Sequence, residues 1–497
     1  MRQGSAAGAV VGVCRLLAFV LCVPAARGGE VEPPEPFGAC PTPAQLAWHE
    51  LEFYGFIHFT TNTFTNKEWG YGDESPAIFN PSELDAGQWA RVAKEAGMQG
   101  LILTAKHHDG FCLWPSKFTT HSVTSSPYKG GHGDVVGEFA AAARAAGLKV
   151  GLYLSPWDRN HASYGTPEYV EYYRNQWREL IGSYGPLFEV WFDGANGGDG
   201  YYGGARETRR IERSTYYRWN ETNALLEELN PGVVIFSDAG PGCRWVGNES
   251  GFSDETSWQT INLAGMYPGT SHDHLARGDK NGTHWVGVEV DVSIRPGWFW
   301  HEHENDKVKT AEQLVEIYYQ SVGRGANLLL NVPPDRRGII HENDVASLQG
   351  MKRILDGTFA TDLLKGAKAT AEEIRGKDEA YGPVRALDGD RKTYWATDDA
   401  DRASTMVVEL ENPTTLDVIR VREAIELGQR VEEFAVDFWS EGDWKPLTGG
   451  TTIGPSRLLR FDPVTTTKLR LRVIRSMAAP LISEFAAFKR PGPGAIR

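Results

Sequence analysis

KVGLYLSPWDRNHASYGTPEYVEYYRNQWRELIGSYGPLFEVWFDGAN, running from Lys149 to Asn196, holds the repeating unit of this chain in one stretch. Lys149–Asp158 opens as an apolar run suited to a strand covered on both faces. Pro167–Gly185 carries apolar and aromatic residues at helical spacing, with Pro at its start and Gly at its end. Leu187–Asn196 is a second apolar run that stops at Asp193 and breaks into small residues. Strand, helix and strand in this order predict a parallel βαβ unit. An acid at the tip of a buried strand is costly unless it has a task.

The same rhythm extends in both directions. Tyr54–Phe59, Gln99–Phe111, Val233–Gly240, Trp285–Ser293 and Asn327–Pro334 read as strands. Ser82–Met98, Gly133–Lys149, Ser214–Gly232 and Thr310–Gly325 read as helices between them. So many units in roughly 300 residues predict an α/β fold, a (β/α)8-like barrel of TIM type. A doubly wound open sheet is the alternative, weakened because no glycine-rich dinucleotide turn follows the first strand. Past about Gly357 the helices give way to short alternating segments: Met406–Asn412, Asp417–Ile425, Glu432–Ser440, Arg457–Pro463, Lys468–Ser476 and Ile482–Phe488. That texture predicts an antiparallel β-sandwich. The expected organisation is a signal peptide over 1–29, a barrel over 30–357 and a sandwich over 358–490.

The signal peptide rests on Arg2, the short apolar run Leu16–Val23 and the small residues of Pro24–Gly29. It predicts a secreted or periplasmic protein, and no later run is long enough to insert in a membrane. Cys40, Cys112 and Cys243 remain after it, without metal spacing and with no pairing the sequence can pick. A formal charge of −14 disfavours nucleic acid as a partner. Asn220, Asn248 and Asn281 lie in N-x-[ST] sequons, of which a glycan on Asn248 would obstruct the neighbouring Glu249.

In a barrel of this kind the chemistry sits at the C-terminal ends of the strands. Those ends carry His58, His107-His108-Asp109, Trp157-Asp158, Asp193, Asp238, and Glu289 with Asp291. Three chemistries compete for them. Glycoside hydrolysis needs two flanking carboxylates. Asp193 suits the nucleophile, Glu249 on the loop Ala239–Trp258 suits the proton donor, and Trp69, Trp157, Trp298 and Trp300 suit sugar stacking. Metal-assisted hydrolysis would draw on His58, His107, His108, Asp109 and Asp238, but no HxH or HExxH spacing is present. A sugar-binding protein without catalysis would leave the acids idle.

The segments IHFTTNTFTNKEWGYG, LTAKHHDGFCLWPSKFT, GLYLSPWD, EVWFDGANG and RWVGNESGF resemble α-L-fucosidases of glycoside hydrolase family 29, in order, from about Ala47 to Pro334. RWVGNE and DAGPGCRW resemble the subgroup acting on α-1,3/1,4-linked fucose of Lewis-type glycans. The resemblance implies a retaining exo-glycosidase with Asp193 as nucleophile and Glu249 as acid/base. It implies fucose hydroxyls held by His58, Glu68, His107 and His108, with Trp69 and Tyr153 nearby and Trp298 against the C5 methyl, Arg244 being a looser match, and no cofactor for catalysis. Glu289 and Arg295 are added from strand position. Of the two acids, Asp193 is expected to be the stronger, since one must be ionised while the other holds a proton. ALDGDRKTYWATD resembles a discoidin-like (coagulation factor 5/8 type C) domain, which implies a structural calcium at Asp388, Asp390 and Glu484. The remaining alternatives are a catalytically silent fucose-binding lectin and a metal-assisted hydrolase.

Overall fold

A computed structural model of the chain describes Met1 and residues 31–270 and 274–492. The expected signal peptide lies outside the described residues. Pro34 onward forms one compact unit.

Eight parallel strands close into a barrel in chain order: β1 (Phe53–Ile57), β2 (Gly100–Lys106), β3 (Lys149–Leu154), β4 (Glu189–Trp191), β5 (Val234–Ser237), β6 (Cys243–Trp245), β7 (Gly287–Ser293) and β8 (Asn327–Asn331). Pairing of β8 with β1, Phe53 opposite Leu328, completes the circle. Seven of these strands match the predicted ones. The eighth, β6, falls in a stretch read as loop.

Residues alternate across each strand. Tyr54 and Phe56 of β1 join Ile102, Tyr153, Trp191, Phe236 and Leu329 inside the barrel. Phe53 and Ile57 face the helices outside. Those helices are α1 (Ala86–Glu95), α2 (Val135–Ala145), α3 (Pro167–Tyr184), α4 (Trp219–Leu229), α5 (Ala311–Gln320) and α6 (Glu342–Phe359). The Asp85 side chain accepts from Gln88 N–H at the start of α1, and Asp134 from Gly137 N–H at the start of α2. Gly97 ends α1 at φ +90°, a conformation a side chain resists. Helix α6 was not foreseen, and it carries the barrel region to Phe359.

The C-terminal domain is antiparallel, as expected, but built from longer strands. Met406–Asn412 and Asp417–Ile425, read as two strands, lie on one: β9 (Ser404–Glu423). Arg457–Pro463 and Lys468–Ser476 likewise merge in β12 (Arg457–Ser476). Between these come β10 (Val431–Ser440) and β11 (Asp443–Gly450), and β13 (Leu481–Phe488) follows. Register shifts between Glu409 and Thr414 and between Leu416 and Val418 mark where β9 breaks stride against β12. The polar, Pro-containing segment that suggested a loop is therefore a strand irregularity.

The two domains share buried polar contacts. Glu52, just before β1, pairs with Arg422 at 2.6 Å and Arg391 at 3.3 Å. Arg422 also grips Glu484, which Arg420 holds at 2.6 Å. Both carboxylate oxygens of Glu484 are thus taken by arginines. Asp388 accepts from Asp390 N–H and Thr393 Oγ1–H, and Asp390 from Lys392 N–H. These residues do not fit the implied calcium: Glu484 is neutralised by guanidinium groups, and among the described residues the three form no ligand cluster. Cys40, Cys112 and Cys243 are free thiols.

Candidate active site

A cavity of about 300 Å3 opens at the C-terminal end of the barrel. It is lined by Phe56, His58, Trp69, His107, His108, Tyr153, Trp191, Asp193, Phe236, Asp238, Trp245, Glu249, Asp291 and Trp298, with Gly194, Ala195 and Gly269. Asp193, His58, His107, His108, Trp69, Tyr153, Trp298 and Glu249, all expected from the sequence, therefore share one space.

Asp193 lies two residues beyond the last residue of β4, Trp191. Tyr153 Oη–H donates to its Oδ2 at 3.0 Å and Ala195 N–H to its Oδ1 at 3.2 Å. The glycine after it is required by packing. A Cβ on Gly194 would lie 1.9 Å from Asp238 Oδ2 and 2.3 Å from Gly269 Cα. The chain thus has room to turn away and leave the acid facing the cavity, where 24% of its side chain is accessible.

Burial, then the neighbouring Asp238 charge, and more weakly Glu249, push the Asp193 carboxyl up to about 8. This runs against the expectation of a strong acid at Asp193. The sequence reasoning counted the role and not the surroundings: the strand that aims the group also removes its water. Asp238 is raised to about 6 by burial, opposed by a hydrogen bond from Gly269 N–H at 2.7 Å. Asp291 is raised well above the usual range by burial and then by Glu249 and Glu289.

The histidines are neutral, because burial lowers His58 and His108 to about 3 and holds His107 well below its usual range. Their tautomers follow from the hydrogen-bond network. Asn331 Nδ2 donates to Trp298 O and Ser293 Oγ, so its Oδ1 accepts from His58 Nδ1–H at 2.8 Å. Ser155 Oγ–H donates to Trp157 O, so it accepts from His108 Nδ1–H at 2.7 Å. Both rings then carry an Nε2 lone pair, and that of His108 lies 3.4 Å from Asp193 Oδ2. His107 Nδ1 is buried with no protein partner. Such a wall suits a ligand rich in hydroxyl groups.

Opposite chemistry comes from Phe56, Trp191 and Phe236, the last two stacked at 4.1 Å, together with Trp298. These side chains offer an apolar floor. Trp298 Nε1–H also donates to Glu249 Oε2 at 3.1 Å, tying the loop acid to the cavity edge. Four carboxyl groups line the space, and none of its lining residues is Lys or Arg. An anionic substrate is disfavoured there, whereas positive charge developing on a substrate would be stabilised.

Several expected residues stand elsewhere. Arg244 is buried in β6, and its guanidinium donates to the carbonyls of Leu275, Val286 and Trp258. It holds the loops behind the barrel wall. Glu289 lies deeper in the barrel, bonded to Tyr54 and to Trp191 Nε1–H. Arg295 forms a fully buried pair with Asp344 at 2.5 Å. Trp157 does not line the cavity; its ring meets Trp69 edge-on at 5.7 Å and braces it. Glu68 accepts from Trp298 N–H at 2.8 Å and pairs with His301 at 2.5 Å, so it fixes the loop bearing Trp298. Asp109 accepts from Thr60 and Thr61 hydroxyls. Among the described residues the only three donors close enough to share an ion are Glu189, Cys243 and Glu289, none of them in the proposed metal set.

Sequence reasoning missed Phe56, Trp191, Phe236 and Trp245; it weighed Asp238 only as a metal ligand and noted Asp291 without giving it a role. A signal for three of the aromatics existed. Each lies two residues before a strand-end group, at His58, Asp193 or Asp238, and so faces the same side one layer below.

A family model described as Alpha-L-fucosidase matches residues 37–357, and one described as F5/8 type C domain matches residues 367–485. Alpha-L-fucosidase 1 of Arabidopsis thaliana is 42% identical over 470 residues, 93% of this chain and 90% of that protein. A solved glycoside hydrolase 29 family member from an unknown rumen bacterium superposes with a TM-score of 0.83 at 44% identity, over 93% of this chain and 80% of that one. A Ruminococcus gnavus fucosidase of the same family, solved in complex with fucose, gives 0.84 at 32% identity, over 95% and 98%.

Proposed function

From the premise that this chain belongs to the alpha-L-fucosidase family, glycoside hydrolase family 29, we propose that it is a retaining exo-enzyme that removes terminal α-1,3/1,4-linked L-fucose from Lewis-type glycans. The observation that carries the mechanism is that Asp193 and Glu249 line one sugar-sized cavity, the first on a strand tip and the second on a loop. The cavity's two walls support the choice of sugar. Fucose is a 6-deoxy sugar, so hydroxyl-binding groups must face an apolar patch for its methyl. His58, His107 and His108 supply the former, and Phe56, Trp191 and Trp298 the latter.

In the first step Asp193 attacks the anomeric carbon while Glu249 protonates the departing oxygen. The positive charge that develops on the sugar ring is met by the Asp193 carboxylate and by Asp238, which is ionised above about pH 6. In the second step Glu249 takes a proton from water, which attacks the same carbon and frees Asp193. Two displacements at one carbon retain its configuration. The Tyr153 hydroxyl, donating to Asp193, stabilises the carboxylate as it leaves. Glu249 is exposed at the rim, which lets water and the departing glycan exchange.

A proton NMR time course on Lewis-type trisaccharides beside a 2′-fucosyl one tests this reading. α-Fucose should appear first, from the Lewis-type substrates. β-Fucose first would overturn retention. Faster release from the 2′-linked sugar would overturn the linkage preference. Residues 1–29 are read as a secretory leader, and the N-terminal sequence of the mature protein in its native host should begin close to residue 30.

A further inference from the structure

The loop carrying Glu249 leaves the barrel at Val246, whose N–H donates to the Glu289 carbonyl at 3.0 Å. It returns at Ser253, whose N–H donates to the Gln320 carbonyl at 3.0 Å and whose own carbonyl accepts from Arg324 Nη1–H at 2.6 Å. Beyond Ser253 the polypeptide is gripped by the C-terminal domain. Gln429, just before β10, spends its whole amide on this strip. Its Nε2–H donates to Ser257 O at 2.8 Å, and its Oε1 accepts from Gln259 N–H at 2.8 Å. Thr452 Oγ1 accepts from Ser257 N–H at 2.9 Å. Arg457 Nη1–H donates to Glu255 O at 2.7 Å.

The same domain steadies Arg324 too, since Leu458 N–H donates to the carbonyl of its neighbour Gly323 at 3.0 Å. Gln429, Thr452, Arg457, Ser257 and Gln259 are all at most 5% exposed. Apolar contact would suffice to glue two domains. Hydrogen bonds to the backbone of alternate residues, Glu255, Ser257 and Gln259, instead fix where and at what angle a strip of chain runs. The strip ends six residues from Glu249, whose tip is otherwise held by the Trp298 indole.

We infer that Gln429, Thr452 and Arg457 are positioning residues for Glu249, which makes the C-terminal domain a working part of the proton-transfer step. The inference rests on the reading of Glu249 as acid/base. A general acid must come within hydrogen-bond reach of the departing oxygen. An error near 1 Å in such a group costs up to about 100-fold in rate. The clamp sets the loop's C-terminal foot and so sets that reach.

The test uses the full-length protein and a series of aryl α-L-fucosides of graded leaving-group acidity. The best leaving groups depart without a proton, and the poorest need one. Gln429→Ala and Thr452→Val should lose little on the best substrate, less than about 2-fold, and about 10-fold on the poorest. Thr452→Ser, which keeps the hydroxyl, should restore the wild-type profile. In a Glu249→Ala background, Gln429→Ala should change the rates by less than about 2-fold, because there is no acid left to position. Equal losses along the series, or no loss in either variant, would overturn the inference. Glu249→Ala alone, measured in parallel, separates the two claims. A flat response from it removes the acid/base assignment, whereas a graded response beside flat clamp variants removes only the positioning role.

Discussion

Replacing Asp238 with Asn removes one negative charge beside Asp193 and leaves the packing in place. The amide oxygen can still accept from Gly269 N–H, which Asp238 now does at 2.7 Å. Neighbouring charges that shift a pKa act over roughly 4–6 Å. At an effective dielectric constant of about 20, a pair at that range interacts by about 3–4 kcal/mol. That corresponds to about 2–3 pH units. Asp238 titrates at about 6 and Asp193 at about 8, so Asp238 is already ionised where Asp193 loses its proton and exerts its full charge. Burial is the larger cause and stays, so Asp193 should remain above the usual carboxyl range. The acid limb of kcat/KM, which reports the free enzyme, should therefore move down by about 2 pH units in Asp238→Asn. Stability gives a second reading. Both acids have folded-state pKa values raised above the unfolded value, so the stability they contribute is full below about pH 4 and is lost as pH rises toward about 8. The melting temperature of Asp238→Asn should fall less over that interval than that of the wild type. A well-folded variant whose acid limb stays in place, or moves up, would refute the charge account.

Asp193→Gly should lose activity by about 10⁴-fold or more. Added azide, attacking from the vacated face, should yield β-L-fucosyl azide from an activated aryl fucoside; the α-azide would place the nucleophile on the other side. Trp298→Phe keeps the aromatic wall but deletes the N–H held by Glu249. It should slow poor leaving groups by about 10-fold and good ones little, and equal effects would take that bond out of the mechanism. Arg295→Ala leaves Asp344 buried and unpaired. Denaturant titration should show a loss of about 3–5 kcal/mol with KM nearly unchanged. A raised KM at unaltered stability would return Arg295 to the substrate.

The parallel barrel was legible because its strands, covered on both faces, read as unbroken apolar runs. Strand β6 was not: it is three residues long and follows Gly240-Pro241-Gly242, which reads as a turn. That one miss put Arg244 in a loop, where the family resemblance loosely matched it to the sugar. In its real place it binds carbonyls that only tertiary structure brings near. Glu289 and Asp291 show a different limit. Alternation puts both inside the barrel, but it does not say how deep. The two-residue step of about 7 Å along β7 puts Asp291 at the cavity and leaves Glu289 below it. Asp193 was legible in position and misjudged in acidity, first because its burial comes from the fold and then because its neighbour Asp238 lies 45 residues away in the chain. The two long strands of the C-terminal domain hid behind a polar stretch, since a bulge and a loop look alike in a sequence.

The pairing of Glu52 with Arg422 and Arg391 bears on how such architectures are inherited. Recombination that swapped the sheet domain for another module would cut this seam. Here an exchange would leave the Glu52 carboxylate without either of its two cations, since Arg422 and Arg391 both belong to the sheet domain. Breaking such a pair costs about 3–5 kcal/mol, a large part of a typical domain's stability. A gene splice between the two halves would meet selection at once, so the halves are expected to descend together, diverging by paired substitution on either side of the seam.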